Sequence, residues 1–220
     1  MKFAPTLIAA AVISAMPTAF AQSTTDISVT GTITPAACRP TFVGGGVVDF
    51  GRIASHDLEE DAHTPLPEKA LALTVVCDGP TRFALRSVDN REGSATWPSG
   101  AGARAAYRAH GLGMSGEEKL GHYLLDIEPA NAQIDGATAY ATYTQDQGLT
   151  WSNTADAVHP ISPLELVGFS FNAGHSAGPD PVTHLASALR ISAHVAPAQE
   201  LSLTDEVALD GSAVIEVVYL

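Results

Sequence analysis

Apolar and polar residues alternate along much of this chain. In "DISVTGTIT" (26–34), Ile27, Val29, Gly31 and Ile33 fall on one side, and Asp26, Ser28, Thr30 and Thr32 on the other. A period of two marks a half-buried strand, because successive side chains of an extended backbone point to opposite faces. "KALALTVVCD" (69–78) places Leu71, Leu73, Val75 and Cys77 on one face, and "TRFALRSV" (81–88) does the same with Phe83, Leu85 and Ser87. "GGGVVDFGRI" predicts a glycine-led strand around 47–53. Further strands are expected at 120–127, 138–144, 164–171, 187–195 and 213–220. Clusters of Gly, Pro, Asn or Asp separate most of them. Short strands at this spacing predict an all-β antiparallel sandwich. The stretch 91–119, rich in Gly, Ala and Ser, reads as a long loop. Neither a repeat nor a linker divides the chain.

The first residues break this pattern. Met1 and Lys2 form a short positive start, "LIAAAVISAM" an apolar run, and Ala19-Phe20-Ala21 a small–x–small site. That order reads as a secretory signal peptide over 1–21, too short to span a membrane. Removing the first 21 of 220 residues leaves 199, which suits one domain. The formal charge of −13 becomes −14 with the loss of Lys2. With no basic run, the chain is not expected to bind nucleic acid. Cys38 and Cys77 are the two cysteines. In an oxidising compartment they are expected to form one disulfide rather than remain buried thiols. Closing a loop of about 40 residues stabilises by about 3–5 kcal/mol.

Candidate chemistry is sparse. "HDLEEDAHTPLPEK" (56–69) carries two histidines and five carboxylates, but no compact metal-ligand spacing, and reads as a solvated loop stiffened by Pro65 and Pro67. The eight histidines, at 56, 63, 110, 122, 159, 175, 184 and 194, fall in no catalytic motif. "YTQDQGLTWS" (143–152) resembles the Asp-box of sialidase-type propellers through Thr144, Asp146, Gly148, Thr150 and Trp151. That box is a structural turn, and a propeller needs repeats absent here. The expectation is therefore a hairpin held by Asp146 and Gly148 with Trp151 packed beneath. No enzymatic activity, cofactor, metal or small-molecule substrate is expected.

The order of elements carries a larger resemblance. An alternating segment leads into Cys38 ("VTGTITPAACRP"), "VVDFGRI" follows, and Cys77 ends an apolar strand ("LALTVVCDG"). Seven of the last eight residues, "AVIEVVYL", are apolar or aromatic, with Tyr219 penultimate. This order resembles the pilin-type subunits of Gram-negative chaperone–usher fimbriae. In "DEVALDGSAVIEVVYL", "HGLGM" and "KLGHYLL" it is similar to a poorly characterised branch of secreted fimbrial-subunit-like proteins. The resemblance implies an immunoglobulin-like sandwich over 38–220 that lacks its last strand. A periplasmic chaperone and then the N-terminal extension of another fimbrial subunit fill the gap, with assembly at an outer-membrane usher into an adhesive surface fibre. It assigns a donor strand to 22–37 through Ile27, Val29, Gly31 and Ile33. It assigns a chaperone-binding strand to Ile215, Val217, Tyr219 and Leu220. Only 16 residues separate the expected cleavage site from Cys38, fewer than major pilins carry. The same residues then serve either as donor or as first strand of their own domain. The alternative is a self-complete secreted sandwich that binds carbohydrate or host protein through Trp97, Trp151 and Tyr143.

Overall fold

The computed structural model describes Ser23 and residues 25–32, 37–98, 107–153, 158–174 and 176–220. Its longer strands are β1 (Cys38–Phe42), β2 (Lys69–Thr81), β3 (Phe83–Asp89), β4 (Gly121–Ile127), β5 (Tyr140–Thr144), β6 (Leu166–Ser170), β7 (Val182–Val195) and β8 (Ala213–Tyr219). Among the described residues there is no α-helix, only 3-10 turns. One sheet runs β1–β2–β7–β4, and the other runs β5–β6–β3–β8. Every pairing is antiparallel. The result is a sandwich of the immunoglobulin-like kind.

Periodicity explains the layering. Along β7, Leu185, Ser187, Leu189, Ile191, Ala193 and Val195 are buried while the residues between them are half-buried. Leu73 and Val75 of β2 and Leu85 of β3 are fully buried from the two sides. Each such side chain stabilises by about 1.5–3 kcal/mol on leaving water. Cys38 lies directly opposite Cys77, and the two are disulfide-bonded. The bond ties the edge strand β1 to β2, which then passes through Arg82 into β3 of the other sheet.

Several expectations need correction. Residues 47–53 alternate, with Val47 84% exposed and Val48 and Phe50 half-buried, but they form no strand because nothing among the described residues pairs with them. The stretch 91–119 is not one loop. Ala109–Gly111 pairs with β4, and Met114–Ser115 folds back on Glu118–Lys119. A two-residue hairpin at Asp135-Gly136 went unread. Both residues have positive φ, 47° and 80°, as the turn that matches strand twist requires.

The chain separates into two compact units, Met1–Thr34 and Pro35–Leu220. In the first, residues 25–32 form no strand, and Ile27 and Val29 are exposed. The expected signal peptide at 1–21 and Ile33 of the expected donor strand lie outside the described residues.

Candidate functional site

The edges of the two sheets, β1 and β8, meet at one end and part at the other. At the closed end the Tyr219 hydroxyl accepts a hydrogen bond from the Cys38 backbone N–H, 2.8 Å away, beside the disulfide. The last bond that follows β1 runs from Val43 N to Ala72 O at 2.9 Å. The chain then turns through Gly44 and Gly45, both at positive φ, where a side chain would be strained. From 46 to 53 it forms no strand, and among the described residues its backbone makes no ladder hydrogen bond.

The opposite wall has the same character. Leu201, Leu203, Val207 and Leu209 alternate, half-buried, with exposed Ser202, Ala208 and Asp210. Backbone bonds are again missing from 203 to 209 among the described residues. Asp210 and Ser212 then anchor the wall on its inner side through Leu112 O and Asn90 N, both at 2.9 Å. β8 pairs along one edge only, with β3, placing Ile215 opposite Ser87 and Val217 opposite Leu85. Its other edge has no strand partner among the described residues.

A groove lies between these walls. One compartment has a volume of about 240 Å³, with Leu71, Leu125, Leu189 and Ile191 as its floor and Phe50 and Ile215 on its sides. A second, of about 730 Å³, runs on between 48–58 and 201–209. Val48, Phe50 and Leu209 line both, so the two are neighbouring parts of one cleft, with Asp49, Arg52, Asp205 and Glu206 among the lining of the larger part.

The residues assigned to the last strand divide by position. Ile215 is buried and lines the groove, and Val217 packs on the core beside it. Tyr219 is half-exposed and closes the groove's end rather than lining its floor. Leu220 is half-exposed and donates its backbone N–H to Arg82 O at 3.2 Å.

Asp146 sits in a closed hydrogen-bond ring. It accepts from Thr144 Oγ1 (2.5 Å), from Thr150 Oγ1 and from Thr150 N (2.9 Å). These bonds, the Thr144 hydroxyl first, hold its carboxyl down to about 2. Gln147 and Gly148 have positive φ, and Trp151 Nε1 donates to Gly148 O at 3.2 Å. Both oxygens of Asp146 thus accept hydrogen bonds from within its own turn.

Two polar clusters were not legible in the sequence. On the outer side of the first sheet, the rings of His122 and His194 stack at 4.8 Å, with Trp97 edge-on to His122 at 3.9 Å and His63 at 5.4 Å. His63 Nε2 and Thr96 Oγ1 are 2.8 Å apart. Burial first, then the charges of His194 and His63, push the His122 pKa down to about 3. Burial also lowers His63 and His194. The second cluster gathers buried His159, Ser162 and Glu165 at the end of the β5–β6 pair.

Residues 27–121 match a family described as "Protein of unknown function (DUF1120)". The chain is similar to "Uncharacterized protein YhcF" of Escherichia coli (strain K12), 28% identical over 240 residues, covering 97% of this chain and 98% of that one. It is also similar to "Protein GltF" of the same organism, 26% identical over 242 residues, covering 97% and 94%.

Proposed function

We propose that this protein is a structural subunit of a fimbria- or pilus-like surface fibre, whose groove is filled by a β-strand from a partner. One observation carries the reading: two alternating walls, unpaired among the described residues, flank a cleft floored by Leu71, Leu125, Leu189 and Ile191. An extended segment between them would pair with both walls and lay alternate side chains on the floor, the mode of strand addition.

Magnitudes favour a strand over other occupants. Ordering seven backbone residues costs about 7–14 kcal/mol. Three alternating apolar side chains, such as Ile27, Val29 and Ile33 of another copy, contribute about 5–9 kcal/mol. The balance falls to main-chain hydrogen bonds, at about 0.5–1.5 kcal/mol each. An extended backbone bonded on two edges supplies many of them; a helix bonded within itself supplies none.

In this reading a periplasmic chaperone holds the groove and the free edge of β8 first. An outer-membrane usher then exchanges it for the extension of another subunit, and the finished fibre stands on the cell surface in adhesion. Catalysis and cofactors play no part.

The test is copurification from the periplasm, with bound partners identified by mass spectrometry. Deleting 214–220 should abolish both partner capture and accumulation, because the groove loses a wall. Deleting 22–30 should leave the chaperone complex intact and block only dimers and longer polymers. If the second deletion also strips the chaperone, the donor role falls and the acceptor role stands. A wild-type chain that accumulates alone as a stable monomer would refute the subunit reading in favour of a self-complete binding module.

A further inference from the structure

Four of the eight buried side-chain atoms that lack a hydrogen-bond partner among the described residues belong to one cluster: His159 Nδ1 and Nε2, Ser162 Oγ and Glu165 Oε2. Buried polar atoms are nearly always paired, so such a concentration needs an explanation. It borders a cavity of about 370 Å³ lined by Ser162 and Glu165 together with Tyr107, Arg108, Gln145 and Leu164. That volume lies within the roughly 300–1,000 Å³ usual for small-molecule sites.

The site is held by the sheet. Thr144, the last residue of β5, pairs with Leu166, the first of β6, so Gln145 and Glu165 flank the end of the pair. Gln145 Nε2 donates to Glu165 Oε1 at 2.5 Å, which fixes the carboxylate. His159 Nε2 stands 3.5 Å from Glu165 Oε2, ion-pair range but long for a hydrogen bond. The Tyr143 ring lies 4.7 Å from the His159 ring. Tyr107 is half-exposed at the rim.

We propose that this cavity binds a neutral, hydroxyl-rich small molecule of the monosaccharide class. The chemistry of the lining selects it. Glu165 accepts, the Arg108 guanidinium donates, and Ser162 does both. The contact with His159, ahead of opposing burial, keeps the Glu165 carboxyl below its ordinary range, so it is an acceptor at neutral pH. One anion and one cation in the same lining disfavour a charged ligand of either sign, since one wall would repel it. A sugar hydroxyl donates and accepts at once and suits both walls. The Tyr107 ring gives the apolar face of a sugar ring a surface to rest on. The inference stands apart from the groove, because the two cavities share no lining residue.

The experiment is saturation-transfer NMR and titration calorimetry on the full exported chain, purified with any partner that accompanies it, and on that partner alone. The probes are glucose, galactose, mannose and N-acetylglucosamine, with glucuronate and glucosamine as charged counterparts. At least one neutral sugar should bind saturably and more tightly than either charged one. Glu165→Gln should weaken it about tenfold, the usual scale for losing a charged hydrogen-bond acceptor. Because Glu165 is buried and its variant can misfold, Arg108→Gln and exposed Tyr107→Ala serve as second variants, each expected to weaken binding at unchanged melting temperature. Absence of binding by every neutral sugar, preference for a charged one, or binding unaffected by all three variants overturns the proposal.

Discussion

Mild acid should destabilise this protein through one histidine. His122 sits between Trp97 and His194, with its pKa held at about 3 against an ordinary 6.5. A hydrogen bond with the Thr96 main chain opposes that shift without cancelling it. The folded chain therefore keeps His122 neutral at pH 5, while the unfolded chain protonates it. The unfolded state binds more protons, so stability falls as pH falls below about 6.5 and levels off only near 3. Between pH 7 and 5 the loss from His122 is about 2 kcal/mol, 1.5 pH units at about 1.36 kcal/mol each. That figure requires only that the folded pKa lie well below 5. His63 and His194 are lowered too and act in the same direction, with Glu200 partly opposing at His63. Asp146 stays ionised through this window, so its turn does not contribute. The assay is urea unfolding at pH 7 and pH 5, with the same partner content in every sample. His122→Gln removes the titration and keeps a polar group of similar size. Its stability at pH 7 is free to drop, but its loss between pH 7 and 5 should be smaller than that of the wild type by about 2 kcal/mol. Equal losses in the two proteins would refute a depressed His122.

Two further outcomes are expected. Tyr219→Phe should cost about 0.5–1.5 kcal/mol in chemical denaturation, the value of a lost hydrogen bond to Cys38 N; no change would mean that Tyr219 does not close the groove. Asp146→Ala should lower the melting temperature while glycosidase assays of the wild type stay at background, and sialic-acid hydrolysis lost on this substitution would defeat the structural role of the turn.

Where one face of a strand meets the core, the sequence was readable, because burial imposes a period of two. That covers β2, β3, β4, β7 and β8. The histidine cluster escaped for the same reason. His122 and His194 occupy the outward positions of β4 and β7, next to inward Tyr123 and Ala193, and outward positions read as solvent-facing. They are covered because Thr64–Pro65 pairs with His194 and Val195, which brings in the preceding His63, and because Trp97 folds over them. None of these partners is close in sequence, so no local pattern could join them. The polar cavity escaped likewise, since Arg108, Gln145 and Glu165 meet only through the β5–β6 register and the turn before Ala109–Gly111.

The stretch 46–53 failed in a more informative way. Val48 and Phe50 point to the core and Val47 to solvent, so the residues satisfy the side-chain requirement of a strand. What they lack, among the described residues, is a backbone partner. Val207 and Leu209 on the facing wall stand in the same condition. In a closed sandwich, two such segments would either pair with each other or each find a neighbour in its own sheet. Here they do neither, and the cleft between them has an apolar floor. An unpaired strand-like edge beside apolar surface is prone to pair with other chains. A hinge or an ordinary loop would not need alternation on both walls. A site for an added strand needs it, because the inward residues complete the floor while the backbone is left free to bond the newcomer. The alternation that misled the strand assignment at 47–53 is thus what an acceptor groove requires of its walls.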